Sequence, residues 1–150
     1  MTGLLPDADL QRRFGGLERL YGVAGAARIR AAHVAVVGIG GVGSWAAEAL
    51  ARSGVGRLTL VDLDHVAESN INRQVHALDA TLGQAKVQAM RERIAQINPA
   101  CDVQCIEEFV DPSNWPQLLP AVTDAVIDAC DQIKAKTAMA VWARKTRALF

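Results

Sequence analysis

Apolar residues along the chain form short runs that alternate with longer stretches of mixed polarity. The short runs contain β-branched residues, and glycine, proline or polar residues bound them. Such runs are typical of buried strands, and they cover residues 33–37, 57–62, 102–107 and 124–129. Strands separated by helices predict a mainly parallel sheet with helices on both faces, which is a Rossmann-like, doubly wound α/β fold.

The longer stretches predict helices. One contains Ile94 and Ile97 at helical spacing. This helix should begin at a capping box formed by Thr81 and Gln84, and it should end near Asn98. Further helices are expected over residues 7–30, 41–53, 112–119 and 133–147, with a short helical turn around residues 72–76.

The order of these elements suggests one domain, which the length of 150 residues suits. We expect an N-terminal helical segment over residues 1–30 and the Rossmann-like sheet domain over residues 31–150. A doubly wound sheet normally continues past the helix that follows its fourth strand. We therefore expect the sequence to be C-terminally truncated relative to the complete domain.

Composition narrows the class of protein. Sixteen Lys and Arg residues balance sixteen Asp and Glu residues, so no overall field attracts nucleic acid, and RNA contact would need a local patch. The three cysteines, Cys101, Cys105 and Cys130, form neither a CxxC pair nor an even set, which argues against disulfides and zinc. The most apolar window, residues 34–47, is too short to span a bilayer. With no signal peptide pattern at the N-terminus, we expect a cytoplasmic location and no membrane contact.

A glycine motif follows the first predicted strand and opens the next helix. Gly38, Gly40 and Gly43 satisfy GxGxxG, in which the glycines allow a tight turn, close approach of a phosphate, and close helix–strand packing. Backbone N–H groups at the helix N-terminus would bind the phosphate. Asp62 ends the second strand, where a carboxylate can bind ribose hydroxyls. The glycines alone could serve only to pack the helix against the strand. If they bind a nucleotide, the motif and Asp62 are compatible with both NAD and ATP.

Residues after the second strand favour ATP over NAD. An NAD site does not need Asn70, Arg73 and Gln74 at this point, whereas a guanidinium gives forked hydrogen bonds to a triphosphate. Lys86 falls near the start of its helix, where a cation opposes the helix dipole. A local rule broken in this way often marks a functional site. For either cation, the alternative is a side chain that simply points into water.

Two aspartates, Asp128 and Asp131, follow the fourth predicted strand. The carboxyl ends of strands are where ligands bind in open α/β sheets, and a carboxylate there can hold Mg²⁺ that bridges phosphates. The alternative role of Asp131 is to cap the final helix. Together, Arg73, Lys86 and Asp131 suit the attack of a carboxylate on the α-phosphate of ATP, with release of pyrophosphate.

These motifs together resemble the ubiquitin-activating-enzyme-like, or ThiF-type, superfamily of adenylating enzymes. The resemblance rests on GIGGVGS, the D-x-D-x-V…SNxNRQ run, Lys86 and the aspartate after the fourth strand. Two further segments, RRFGGLERLYG (12–22) and SNINRQVHAL, are similar to the tRNA threonylcarbamoyladenosine dehydratases. The resemblance spans nearly the whole chain, from about residue 11 to residue 144.

The resemblance implies a defined reaction. Such enzymes use ATP and Mg²⁺ to activate the carboxylate of the threonylcarbamoyl group on a tRNA adenosine, and the carbamoyl group then closes a ring and releases AMP. No cysteine nucleophile is needed. The resemblance also implies a homodimer, a tRNA partner and possible contact with a sulfur-transfer protein.

The resemblance assigns roles to particular residues. Asp131 would hold Mg²⁺ and support catalysis, Asp62 would bind the ribose, and Arg13 would reach into the partner subunit's site. Arg73 and Lys86 would act on the polyphosphate. The other residues expected to bind ATP are Gly38, Gly40, Gly41, Gly43, Ser44, Asp64, Asn70 and Gln74.

Other functions stay open. A sulfur-carrier or ubiquitin-like-protein adenylyltransferase would use the same chemistry on a protein C-terminus. An NAD oxidoreductase and a non-catalytic interaction module are further alternatives. The final helix is basic, which favours a solvated face over an RNA-binding patch; its cations are Lys134, Lys136, Arg144, Lys145 and Arg147.

Overall fold

The structure, a computed structural model, describes residues 7–120 and 122–150. Two short 3₁₀ turns, Glu68–Asn70 and Asp79–Thr81, lie in the long connection after the second strand. The helices and strands are α1 (Leu10–Phe14), α2 (Leu17–Ala31), β1 (His33–Val37), α3 (Gly43–Arg52), β2 (Arg57–Val61), α4 (Lys86–Ile97), β3 (Asp102–Ile106), β4 (Ala125–Asp128) and α5 (Ile133–Thr146).

The four described strands form one parallel sheet in the order β3-β2-β1-β4. Alternate residues of β1 enter different cores: Val34 and Val36 lie on the face covered by α3 and α4, and Ala35 and Val37 lie on the face covered by α5. This confirms the predicted doubly wound fold. The chain moves outward from β1 to β3 and returns to the other side of β1 for β4. A crevice for ligands is therefore expected at the carboxyl ends of β1 and β4.

Helices α1 and α2 precede the first strand, as predicted. Gly22 breaks the regular geometry of α2 with a φ of 71°, which costs glycine little because it has no Cβ. Phe14 at the end of α1 is buried. The first six residues of the predicted N-terminal segment lie outside the described residues.

The predicted capping box at Thr81 is wrong. Helix α4 begins at Lys86 after Ala85, and no side chain caps it. Thr81 instead closes the 3₁₀ turn, since its hydroxyl donates to the His76 carbonyl at 2.6 Å and accepts from the Leu78 amide at 3.0 Å. These local hydrogen bonds compete with a helical cap.

The helix predicted over residues 112–119 is also wrong, because that segment forms consecutive turns. Pro116 would lie inside such a helix, where it has no N–H to donate and its ring clashes with the preceding turn. Asp111 binds the amides of Ser113 and Asn114 and shapes the first turn. The helical turn expected around residues 72–76 lies earlier, at Glu68–Asn70.

Across residues 7–120 and 122–150, no helix has both the length and the apolar character required to cross a bilayer.

Candidate functional site

A cleft of about 280 Å³ opens at the carboxyl ends of β1, β2 and β4, which is the crevice that the strand order predicts. Residues from the glycine turn, from the segment after β2, from the start of α4 and from the segment after β4 meet there. The lining residues are Val37, Gly38, Gly40, Val61, Asp62, Asp64, Lys86, Glu108, Phe109, Val110, Ala129, Cys130, Asp131 and Gln132.

Two glycines make the turn between β1 and α3 possible. Gly38 has a φ of 90°, and a Cβ there would lie 2.6 Å from the Ala129 carbonyl oxygen. A Cβ on Gly43 would lie 1.6 Å from the Gly38 carbonyl oxygen. Only glycine therefore lets α3 begin this close to the end of β1, as the motif predicts.

Buried polar side chains hold the turn in place. Asp62 accepts from the Ile39 amide at 2.6 Å and, through its other oxygen, from the Asp64 amide at 2.8 Å. The Ser44 hydroxyl donates to the Gly40 carbonyl at 2.6 Å and accepts from the amide of Val75 at 3.3 Å. Asp62 and Ser44 thus fix the glycine turn against β2 and against the loop that follows it.

His76 also holds this turn, although sequence reasoning gave it no role. Its ring is 1% exposed, and its Nε2 lies 2.8 Å from the Ile39 carbonyl oxygen. Burial lowers the pKa of His76, and the nearby Lys86 cation lowers it further. The sequence carries no signal for this contact, because 37 positions separate the two residues and only the folded chain brings them together.

The amide groups at the tip of the glycine turn have no protein acceptor. Among residues 7–120 and 122–150, the N–H groups of Gly40, Gly41 and Val42 donate no hydrogen bond. Gly40 borders the cleft, and Gly41 is exposed beside it. Adjacent free amides at the start of a helix form a binding site for an anion.

Arg73 lies beside this turn. A Cβ on Gly41 would lie 3.5 Å from Cγ and Cδ of Arg73. The exposed guanidinium donates to the Ser69 carbonyl and to Asn72 Oδ1, at 2.9 and 3.0 Å. Trp45, on the first turns of α3, donates its Nε1 to the Arg73 carbonyl at 2.9 Å, a positioning contact that sequence reasoning missed.

Lys86 is a buried cation inside the cleft. It is 6% exposed, and its Nζ lies 3.6 Å from Oδ2 of Asp64. Asp64 itself is exposed, and its backbone carbonyl accepts from the Lys86 amide at 3.0 Å. A mostly buried ammonium whose ion-pair partner is a solvated carboxylate is incompletely compensated, so an additional anion in the cleft would stabilise it.

Asn70 and Gln74 shape the loop behind the turn. Asn70 is buried, and its Oδ1 accepts from the Ala67 amide at 2.9 Å; it does not line the cleft. Gln74 is buried beside Gly40, since a Cβ on that glycine would lie 3.8 Å from Gln74 Nε2. The Oε1 of Gln74 has no hydrogen-bond partner within the described chain.

The two aspartates after β4 have different surroundings. Asp128 accepts from Lys136 at 2.8 Å and from the Cys130 amide at 3.2 Å, so Lys136 of α5 does not simply face solvent as predicted. Asp131 borders the cleft, is exposed, and has no hydrogen bond or ion pair within residues 7–120 and 122–150. The alternative capping role for Asp131 is wrong, because Gln132 occupies the N-cap of α5 and no side chain bonds there.

The surroundings of the three cysteines disfavour the thiolate. Burial raises the pKa of the Cys130 thiol, which borders the cleft. Burial also raises the pKa of Cys101 and Cys105 to about 11. The reactive form of cysteine is the thiolate, so these surroundings disfavour a covalent cysteine intermediate.

Arg13 lies away from the cleft of its own chain. Its guanidinium donates to the carbonyls of Gln96 and Ile97, at 3.1 and 2.8 Å, at the C-terminal end of α4. In the single chain it therefore caps α4, since the last carbonyls of a helix lack partners within the helix. Its expected reach into a partner's site stays a prediction.

The cleft places groups that can bind an anion beside the carboxylates of Asp62, Asp64, Glu108 and Asp131. Free amides and the Lys86 ammonium supply positive potential, and Asp131 supplies a carboxylate that forms no hydrogen bond or close ion pair within residues 7–120 and 122–150, although the Lys136 cation lies in its electrostatic range. A chain of phosphates with a bound divalent cation has the complementary charges.

Comparison with known proteins identifies the family. The model of the ThiF family matches residues 11–149. The chain belongs to the ThiF family. It is 48% identical over 147 residues to the tRNA threonylcarbamoyladenosine dehydratase of Escherichia coli, covering 98% of this chain and 54% of that protein. The Bacillus subtilis protein of the same name is 50% identical over 121 residues, covering 81% of this chain and 48% of that protein.

A solved structure of this family has the same fold. The crystal structure of the E. coli dehydratase in complex with ATP matches with a TM-score of 0.89 and 48% identity, covering 95% of this chain and 59% of that one. This ThiF-family chain thus spans about half the length of the curated relatives named here.

Proposed function

We propose that this ThiF-family chain is the ATP-binding part of a tRNA threonylcarbamoyladenosine dehydratase. The observation that carries the proposal is the meeting of the glycine turn, Lys86 and Asp131 in one cleft. Relatives of 48 and 50% identity bear the name of that enzyme, and a matching structure contains ATP. The substrate is a tRNA adenosine that carries a threonylcarbamoyl group, and the enzyme acts in the cytoplasm.

In this proposal the glycine turn binds the phosphates of ATP. The free amides of Gly40 and Gly41 donate to phosphate oxygens, and Lys86 and Arg73 stabilise the negative charge that develops on the α-phosphate oxygens and the leaving pyrophosphate. Arg73 has to exchange its contacts with Ser69 and Asn72 for phosphate oxygens. Asp62 binds the ribose hydroxyls while it continues to hold Ile39, because each carboxylate oxygen can accept more than one hydrogen bond.

The reaction has two steps. The substrate carboxylate attacks the α-phosphorus, the α–β bridging oxygen leaves with pyrophosphate, and an acyl adenylate forms. The carbamoyl group then attacks the activated carbon, and the bond to AMP breaks. Overall, the nucleoside loses one water and ATP becomes AMP and pyrophosphate. No thiol takes part, in keeping with the raised pKa of Cys130.

We assign Mg²⁺ to Asp131, which borders the cleft after β4. Its exposed carboxylate makes no hydrogen bond or close ion pair within the described chain and interacts with Lys136 only at longer range, whereas Asp128 binds Lys136 at 2.8 Å. Mg²⁺ is commonly bound by one or two carboxylates together with substrate phosphates. When bound, the ion would neutralise phosphate charge, and Asp131 would supply one of its oxygen ligands.

The proposal includes a homodimer in which Arg13 acts in the partner's site. This requires Arg13 to release the carbonyls at the end of α4. Equilibrium sedimentation of the protein tests the dimer. The proposal would also allow a sulfur-transfer protein to be a partner.

The proposed function is tested with the protein at the full length encoded by its gene, using tRNA that carries threonylcarbamoyladenosine. Nucleoside mass spectrometry should show ATP-dependent loss of one water. Asp131→Ala should abolish the loss with the melting temperature unchanged, and Asp79→Ala, at an exposed carboxylate outside the cleft, should leave it intact. Activity retained in Asp131→Ala would contradict the assigned role.

Two outcomes would favour the alternatives. In a pyrophosphate–ATP exchange assay, activity that depends on a sulfur-carrier protein and not on tRNA would indicate a protein adenylyltransferase. Tight binding of NAD, with no heat of binding for ATP and Mg²⁺ in calorimetry, would indicate an oxidoreductase.

A further inference from the structure

Both ends of one residue of the glycine turn are held by buried side chains. The amide of Ile39 donates to Asp62 Oδ2 at 2.6 Å, and the carbonyl of Ile39 lies 2.8 Å from Nε2 of His76. All three residues are at most 8% exposed. Asp62 belongs to the nucleotide-binding pattern, but the pattern has no place for the histidine.

The contact defines the state of the His76 ring. A carbonyl oxygen can only accept, so Nε2 carries a proton and donates it. Nδ1 has no hydrogen-bond partner in the described chain. The charged groups that face the ring are Asp62 after β2 and Lys86 and Arg93 on α4. Burial is the main cause that lowers the pKa of His76, and the two cations act in the same direction, against Asp62 and the hydrogen bond to Ile39. The carbonyl acceptor at Nε2 is what selects the Nε2–H tautomer.

Holding the Ile39 carbonyl also orients the next amide. The peptide between Ile39 and Gly40 is trans, since the cis bond of the described chain is Trp115–Pro116. In a trans peptide, the N–H points opposite to the C=O of the same plane. His76 binds the Ile39 carbonyl on one side of the turn, so the Gly40 N–H points to the opposite side. This N–H has no acceptor among the described residues.

We propose that His76 is a positioning residue for phosphate binding, which fixes the peptide plane of Ile39 and Gly40 so that the Gly40 N–H is presented to a phosphate of the nucleotide. This inference rests on the proposed ATP-binding function. Without the His76 donor the buried carbonyl is free to rotate, and the peptide has to be ordered each time that a nucleotide binds.

The test compares a phosphorylated ligand with an unphosphorylated one. In the full-length protein, His76→Leu should weaken ATP binding about tenfold, the size expected when the backbone of one residue has to be ordered on binding, and it should leave adenosine binding unchanged. His76→Gln, whose amide can donate from the position of Nε2, should restore most of the ATP affinity. Equal losses for ATP and adenosine, or no loss for ATP, would overturn the role of His76.

A second measurement uses the unmodified protein, so the proposal stays testable if His76→Leu fails to fold. Nitrogen-15 NMR of the histidine side chains should show His76 as the Nε2–H tautomer near neutral pH, with its Nε2 proton retained when ATP is added. The Nδ1–H tautomer would overturn the proposal. An unmodified protein that binds neither ATP nor AMP would instead refute the proposed function.

Discussion

Single residues in and behind the cleft fall into two groups, those that hold the backbone and those that could contact a ligand. The first group consists of Asp62, Ser44 and His76. Each of these side chains forms a hydrogen bond with the backbone of the glycine turn. Within the described residues, Lys86 pairs only with Asp64, and Asp131 makes no hydrogen bond or close ion pair, although both border the cleft. The first group provides preorganisation, and the second provides the charges that a nucleotide and its metal ion would meet.

Lys86→Met tests the second group, because methionine keeps most of the side-chain length and removes the charge. We expect ATP-dependent turnover to fall about 100-fold or more, as when a charge-stabilising donor is lost from an active site. The melting temperature should not fall, since an incompletely paired buried cation is removed.

Lys134→Met is the matched control for this experiment. Lys134 is an exposed cation on α5 outside the cleft, and its loss should leave turnover unchanged. Equal turnover in Lys86→Met and the unmodified protein would remove Lys86 from the proposed site.

Sequence alone could identify a residue of the cleft where its local pattern is compatible with few other roles. Gly38 and Gly43 followed from the turn, and Lys86 followed from its unfavourable place in a helix. His76 and Trp45 could not be found in this way, because their partners, Ile39 and Arg73, are distant in sequence.

At the scale of elements, helix α3 is held in place by close backbone packing at its first residue and by ion pairs further along. The start depends on Gly43, which touches the backbone of Gly38. Further along, Glu48 is buried and binds Arg93 of α4 and Arg52 of its own helix. The helix that carries the free amides is thereby held against β1 and α4.

Two glycine substitutions separate packing from ligand approach. Gly43→Ala places a Cβ 1.6 Å from the Gly38 carbonyl oxygen, and we expect a loss of about 1–3 kcal/mol or more in the free energy of unfolding. Gly40→Ala meets only Gln74 Nε2, at 3.8 Å. It should keep the stability but weaken ATP binding, since phosphate approaches the second glycine.

Urea denaturation and ATP titration of both variants check this prediction. Full stability of Gly43→Ala would contradict the close-packing role. Undiminished ATP affinity of a stable Gly40→Ala would contradict phosphate binding at this turn.

Glu48 should make stability depend on pH in the acid range. The hydrogen bond from Arg93 is the main cause that lowers the pKa of Glu48 below its ordinary value of 4.5. The unfolded chain therefore binds a proton more readily than the folded one, and stability is lost as pH falls below 4.5 through the folded pKa. Glu48→Gln should weaken this loss, and at pH 7 it should cost about 1–2 kcal/mol through lost hydrogen bonds.

Denaturation of Glu48→Gln between pH 3 and pH 7, the range around carboxylate titration, measures this effect. Glu68→Gln, at an exposed carboxylate, is the control and should follow the unmodified protein. An acid dependence that Glu48→Gln leaves unchanged would exclude Glu48 as its source.

Element prediction failed where local rules conflicted. Thr81 satisfied a capping pattern, but its hydroxyl binds the preceding turn instead. Residues 112–119 have a good helix start, yet Pro116 lies where the interior of the helix would be. The strands were easier to predict, because a buried parallel strand has a nearly continuous apolar sequence.

At the scale of the whole molecule, the strand order creates the site. Because β4 lies on the other side of β1 from β2, the segments after β1 and β4 diverge, and a cleft opens between them. The alternation of strands and helices was enough to predict the cleft and the aspartate at its edge. It could not place Arg13, whose contacts depend on how α1 packs against the end of α4.

The most direct test of this account is a crystal structure of the full-length protein with Mg²⁺ and a non-hydrolysable ATP analogue. We predict that the phosphates contact the amides of Gly40 and Gly41 and the Lys86 ammonium, that the ribose lies at Asp62, and that Asp131 faces the metal ion. A nucleotide bound away from the glycine turn, or a cleft that accepts a nicotinamide dinucleotide instead, would contradict the account.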